Sequence, residues 1–118
     1  MATINTFKHE ENVVSYSAGE TIFEEETAGH IMYIVQHGMV DIFVKGKLIE
    51  TVGENGVVGE MAIIDPTARS ATAVAKTDCI LVPLDEAAFK RHVHHTPLFA
   101  VQVMRVMADR LRKMNDQL

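Results

Sequence analysis

Cysteine is almost missing from this chain: Cys79 stands alone. No internal disulfide can form, and the several thiolates that a zinc or iron–sulfur centre usually takes are lacking. Its neighbours Ile80, Leu81 and Val82 suit a buried structural thiol rather than a reactive one. No apolar run reaches the roughly 18 residues of a membrane-spanning helix, and Met1 to Glu10 has neither the basic nor the apolar segment of a secretory signal. The expected location is cytoplasmic, away from membranes. Basic charge is also short, with 11 Lys and Arg against 16 Asp and Glu and a net charge of -5. Without a basic block, long-range attraction to nucleic-acid phosphates is missing, so direct DNA binding is not expected. Nor does a nucleophile motif surround Ser15, Ser17 or Ser70, and no enzyme is expected.

What is present suits one globular domain over residues 1–118, with 47% hydrophobic residues to build a core. From about residue 11 to residue 84 the chain is written as short β-prone runs broken by glycine: Val13–Tyr16, Thr21–Phe23, Ile31–Gln36, Val40–Val44, Leu48–Val52, Thr72–Ala75 and Ile80–Leu84. That rhythm predicts a mainly β domain, an antiparallel sandwich or barrel, with Lys45-Gly46 placed for a tight hairpin. After Leu84 the period changes to that of a helix. Asp85 is a good N-cap for a short first helix, and Thr96-Pro97 opens a C-terminal amphipathic helix that can run to about Gln117. On it, Phe99, Val103 and Val106 form one apolar stripe. Ala100, Met104, Met107, Leu111, Met114 and Leu118 form a second, with the four-three spacing of a helix that pairs with another. The first stripe can pack on the protein's own sheet, which leaves the second for a homodimer through this helix.

The stretch that carries chemistry is Val57 to Thr72, where Glu60 and Arg69 lie nine residues apart among apolar or small neighbours. A Gly59-Glu60 entry into a short helical turn leaves the backbone N–H groups of Met61 and Ala62 free for an anion. Arg69 supplies full charge and a forked donor suited to phosphate. Glu60 repels a phosphate but, as a pure acceptor, suits a ribose hydroxyl. Together they point to a nucleotide whose phosphate lies near its ribose. The plain alternative is a Glu60 to Arg69 salt bridge flanking a turn.

Gly59-Glu60-Met61-Ala62 followed by Arg69-Ser70-Ala71-Thr72 resembles the phosphate-binding cassette of cyclic nucleotide-binding domains, found in catabolite-activator-like regulators, kinase regulatory subunits and nucleotide-gated channels. Upstream, Gly19-Glu20-Thr21-Ile22-Phe23, Gly29, Met32-Tyr33-Ile34-Val35, Gly38 and Val40-Asp41-Ile42 resemble the family's first strands and turns. Downstream, Ala73 to Pro83, Phe89, and Pro97 leading into Met107 to Leu111 extend the likeness over about residues 11–117. The resemblance implies an antiparallel β-roll, jelly-roll-like, with flanking helices. It implies a site built from Gly59, Glu60, Met61, Ala62, Arg69 and Ser70, with Arg69 and amides near Ala62 and Ser70 on the cyclic phosphate and Glu60 on the ribose 2′-hydroxyl. The last helix would cap the base through Arg112, Met114 or Asn115. The implied ligand is cAMP, with cGMP the alternative, and no cofactor is implied. Two departures stand out: Ala68 replaces the proline that commonly precedes the arginine, Pro66 lying two residues earlier, and Glu26 stands where a glycine is usual.

Two rival readings remain. His92, His94 and His95 cluster, and His92 and His95 share a helix face, but no cysteine completes a set, so no metal site is expected. The other is a β-roll that has lost its ligand and serves as a dimerisation or interaction module. Intact Glu60 and Arg69 argue against it, since both are costly to bury without purpose. In the regulators it resembles, the closing helix signals to a helix-turn-helix domain. Here the expected output is a separate effector protein, a second copy, or a domain outside this sequence.

Overall fold

A computed structural model describes residues 7–116. Eight strands come first: β1 (Val14–Tyr16), β2 (Thr21–Phe23), β3 (Met32–His37), β4 (Val40–Val44), β5 (Lys47–Val52), β6 (Val57–Val58), β7 (Thr72–Ala75) and β8 (Cys79–Leu84). A 3-10 turn (Glu60–Ile63) joins β6 to the cassette loop, and helices α1 (Glu86–His95) and α2 (Leu98–Asp116) close the chain. The strands pair antiparallel in two four-stranded sheets, in the orders β1-β8-β3-β6 and β2-β7-β4-β5. This is the expected β-roll with C-terminal helices.

The period-two alternation of the strands explains how the layers stack. On β3, Met32 and Ile34 face one core while Val35 faces another; on β8, Val82 and Leu84 oppose Cys79 and Leu81 in the same way. The first sheet is therefore covered on both faces, by the helices through Phe99, Val103 and Val106 and by the second sheet through Val40, Ile42, Val52 and Ala73. Each fully buried side chain of valine or leucine size contributes about 1.5–3 kcal/mol relative to exposure. Cys79 lies in the inter-sheet core with its thiol 3.1 Å from the Met39 carbonyl oxygen. Burial pushes that thiol above its ordinary range.

Turn chemistry matches the residues. Lys45 and Gly46 both take positive φ, 51° and 78°, and link Val44 to Lys47 as the expected hairpin. Asp85 caps α1, its carboxylate accepting from the Ala88 N–H at 2.8 Å. Strand β6 is not legible in the sequence: two residues are too few to show periodicity, and Tyr33↔Val58 and Ile34↔Val57 pairing with β3 makes them a strand. On α2, Phe99, Val103 and Val106 are buried while Met104 and Leu111 are 56% and 48% exposed; Met107 and Met114, expected on the same free stripe, instead pack against the protein's own cores, which narrows that stripe. Leu118, the end of the outer stripe, lies outside the described residues. No helix among them is long and apolar enough to cross a membrane.

Candidate functional site

The connection from β6 to β7 crosses the space between the second sheet and the C-terminal half of α2. Gly59 enters it with φ 75°, a left-handed conformation that glycine takes without strain, and the chain then winds through the 3-10 turn. In that turn the Ala62 N–H donates to the Gly59 carbonyl at 3.1 Å. The expectation that this amide stands free is thus corrected: tight i to i+3 winding uses it within the turn.

Arg69 is held from the backbone outward. Its N–H donates to the Thr27 carbonyl at 2.7 Å, its own carbonyl accepts from the Glu26 N–H at 2.9 Å, and the Gly29 N–H donates to the Pro66 carbonyl at 3.1 Å. Two loops are thereby laced together beneath the side chain. Pro66 joins the lacing two positions before Ala68, and Glu26 takes φ 71°, the conformation for which glycine is better suited. Arg69 as a residue is only 8% exposed, and its guanidinium lies over the Phe23 ring at 4.1 Å. Its Nη1 is 3.5 Å from the Gly59 carbonyl oxygen, a weak contact, and Nε is buried with no partner.

Space for this side chain depends on two glycines. A Cβ on Gly29 would come within 2.4 Å of Arg69 Nε, and one on Gly59 within 2.9 Å of Nη1. No carboxylate among the described residues pairs with Arg69, and burial pulls its guanidinium below the usual arginine range. A desolvated cation without a carboxylate partner has free donors suited to an anion.

Glu60 is 2% exposed and pairs with Arg110 of α2, whose Nη1 donates to Glu60 Oε1. The Glu60 to Arg69 salt bridge is not formed. Burial pushes the Glu60 carboxyl above its ordinary range, with the Arg110 guanidinium pulling the other way. Arg110 also donates through Nε to Glu50 Oε1 on β5 at 3.0 Å, and Lys113 Nζ lies 3.6 Å from Glu50 Oε2. Sequence reasoning missed Glu50 and Arg110. The signal was there: Arg110 continues the buried stripe Phe99, Val103, Val106 by one more step of four, and Glu50 sits opposite the buried Ile42 on a core-facing strand position.

All six expected site residues, Gly59, Glu60, Met61, Ala62, Arg69 and Ser70, line one cavity. Phe23, Ile42 and Met114 supply apolar walls. Of the three base-capping candidates only Met114 reaches it; Arg112 is exposed and pairs with Asp109 at 3.0 Å, and Asn115 is exposed. The histidines part ways: His94 and His95 touch edge to face at 5.4 Å, while His92 packs against Phe7 at 4.5 Å and Phe99 at 5.9 Å.

Comparison with known proteins agrees with this fold. Residues 13–95 match the family model described as the cyclic nucleotide-binding domain. Over 82 residues the chain is 39% identical to a cAMP-dependent protein kinase regulatory subunit of Eremothecium gossypii, covering 70% of this chain but 18% of that protein. The catabolite activator protein of Thermus thermophilus superposes with a TM-score of 0.77 at 29% identity, over 89% of this chain and 52% of its own. PKAR CBD2 bound to Sp-2Cl-cAMPS superposes with a TM-score of 0.78 at 28% identity, over 89% of this chain and 70% of its own. The chain thus spans only part of these relatives' length. With the cassette in place and its acid and arginine lining one cavity, this chain belongs to the cyclic nucleotide-binding domain family.

Proposed function

We propose that the chain is a regulatory sensor that binds a cyclic nucleotide, cAMP in preference to cGMP, and passes the signal through α2. The observation that carries this is Arg69: a buried arginine without a carboxylate partner among the described residues, fitted between two glycines on the wall of the cavity that the cassette residues line. A cyclic phosphate supplies the missing anion through charge-assisted hydrogen bonds, each worth about 1.5–3 kcal/mol. Ser70 and the cassette backbone flank the phosphate, and Glu60 accepts from the ribose 2′-hydroxyl. Met114 covers the base. The kinase regulatory subunit it resembles and the cAMP analogue bound to PKAR CBD2 support cAMP as the first ligand to test.

Signalling follows from the Glu60 to Arg110 pair. A ligand that engages Glu60 alters the contact by which α2 is docked, and α2 carries the exposed Met104 and Leu111. A ligand shifts an equilibrium only as far as it binds one state better, and this contact is where the two states of α2 differ. The output is a second copy paired through that stripe, an effector protein, or a further domain, acting in the cytoplasm and without catalysis by this chain.

Calorimetric titration with cAMP and cGMP, on wild type and Arg69→Ala, tests the reading. Saturable binding that weakens by at least about tenfold in the folded mutant, the loss of one charge-assisted bond, supports the sensor and ranks its ligands. Silence of folded wild type toward both nucleotides overturns it in favour of an interaction module without ligand.

A further inference from the structure

Glu50 is buried on β5, yet it does not line the cavity. Its side chain is 6% exposed and reaches Arg110 Nε at 3.0 Å and Lys113 at 3.6 Å. Arg110 therefore stands between two buried carboxylates, Glu50 on the sheet side and Glu60 on the ligand side, and Lys113 adds a second positive charge on the Glu50 side alone. Its Nη2 is buried and has no partner, so the guanidinium is not saturated by this arrangement.

We propose that Glu50 is a positioning residue that divides Arg110 between β5 and the cassette, and so sets how freely Glu60 can accept from a ribose 2′-hydroxyl. This rests on the cyclic nucleotide reading above. The physical reason is geometric competition: one rotamer must place Nε against Glu50 and Nη1 against Glu60 at once, so a pull that seats the guanidinium on one carboxylate moves it off the other. Without Glu50, Arg110 turns wholly to Glu60 and occupies the oxygen lone pairs that a ribose hydroxyl needs. Lys113 acts with the opposite sign. It partly neutralises Glu50, so removing it strengthens Glu50's hold on Arg110 and leaves Glu60 more available.

The test compares cAMP with 2′-deoxy-cAMP, which lacks the group Glu60 would bind. In Glu50→Gln the preference for the ribose form over the deoxy form falls by at least about threefold, a modest coupling for side chains in contact, with affinity for the deoxy ligand unchanged. In Lys113→Met the same preference rises. A purely structural Glu50 weakens both ligands alike, and that result, or a Lys113→Met shift in the same direction as Glu50→Gln, overturns the proposal. A second arm needs no ligand. Denaturant unfolding of Glu60→Gln, Arg110→Met and the double variant gives the Glu60 to Arg110 coupling, measured in the wild-type background, in Glu50→Gln and in Lys113→Met. Competition requires that coupling to grow in Glu50→Gln and to shrink in Lys113→Met; an unchanged coupling in both overturns the proposal even if the chain binds no cyclic nucleotide. If Glu50→Gln does not fold, the Lys113→Met arm decides alone.

Discussion

Two buried arginines line the same cavity, and the regions that hold them treat charge in opposite ways. Arg110, on α2, is tied to two carboxylates and joins helix, sheet and cassette. Arg69, on the cassette loop, has an aromatic face, one long contact to a carbonyl and no carboxylate partner among the described residues. Burial alone therefore does not mark a ligand site. The difference is whether the fold has already supplied the counter-charge: where it has, the arginine joins elements of the fold, and where it has not, its donors are open to the anion proposed above.

The largest expected effect breaks the comparison from the structural side. Arg110→Ala leaves Glu60 an uncompensated buried acid and Glu50 with Lys113 alone, and should destabilise the fold by about 3–5 kcal/mol. Arg69→Ala gives up a cation–π contact of about 0.5–2 kcal/mol and also removes a desolvated charge, so its net cost should be about 1 kcal/mol or less. Urea unfolding of the two variants side by side measures the gap; equal losses would erase the distinction. Next in size is Gly29→Ala. Its φ is not in the left-handed region, so the backbone accepts alanine, but the new Cβ meets Arg69 Nε at 2.4 Å. The guanidinium must shift, and cyclic nucleotide affinity should fall about tenfold, the equivalent of one hydrogen bond, while the Arg110 contacts and the melting temperature change little. Titration calorimetry alongside thermal unfolding checks both halves.

These regions also differ in how much of them can be read from residues. Strands β2, β4 and β7 lie where the alternation of Thr21–Phe23, Val40–Val44 and Thr72–Ala75 puts them, because local periodicity and glycine turns carry that information. The cassette is legible for a related reason: an acid and an arginine nine residues apart in an apolar run are conspicuous in one dimension. Glu50 and Arg110 are not, since these partners lie 60 residues apart in the chain and meet only after α2 folds back on β5. The buried stripe Phe99, Val103, Val106 is plain in the sequence, yet its continuation to Arg110 reads as surface charge. A charged residue in phase with a buried stripe calls for a buried partner, and pairing by phase rather than by proximity would find it.

A smaller effect sharpens the loop side of the comparison. Glu26 carries φ 71° while its N–H donates to the Arg69 carbonyl. A non-glycine residue in this conformation costs about 1–2 kcal/mol, and glycine returns part of the gain as chain entropy. Glu26→Gly should therefore stabilise the protein by about 0.5–1 kcal/mol in thermal unfolding, with nucleotide affinity unaltered because the hydrogen bond is a backbone one. A loss of affinity would show that the strained loop, and not only the glycines, sets the position of Arg69.

The smallest effect is spectroscopic and separates the two arginines without ligand or unfolding. Tyr33 stacks on Phe23 at 6.3 Å, the same ring that lies under Arg69. Burial first, then Tyr16, push its phenol up to about 12, and the Arg69 charge alone pulls it back. A phenol raised in the folded state adds stability that is complete below the ordinary value near 10 and is lost as pH climbs toward 12. With two tyrosines in the chain, a Tyr16→Phe background leaves Tyr33 as the only phenol, at a value already lowered by the loss of Tyr16. In that background, Arg69→Ala should move the ultraviolet titration of Tyr33 to higher pH, because an attractive cation is gone. Arg110→Met should move it less, since Arg110 is engaged by Glu50 and Glu60 while Arg69 shares the Phe23 ring with Tyr33. An equal shift in both variants would mean that the two charges are felt as one field, and that the cavity does not keep the cation reserved for ligand apart from the one already paired.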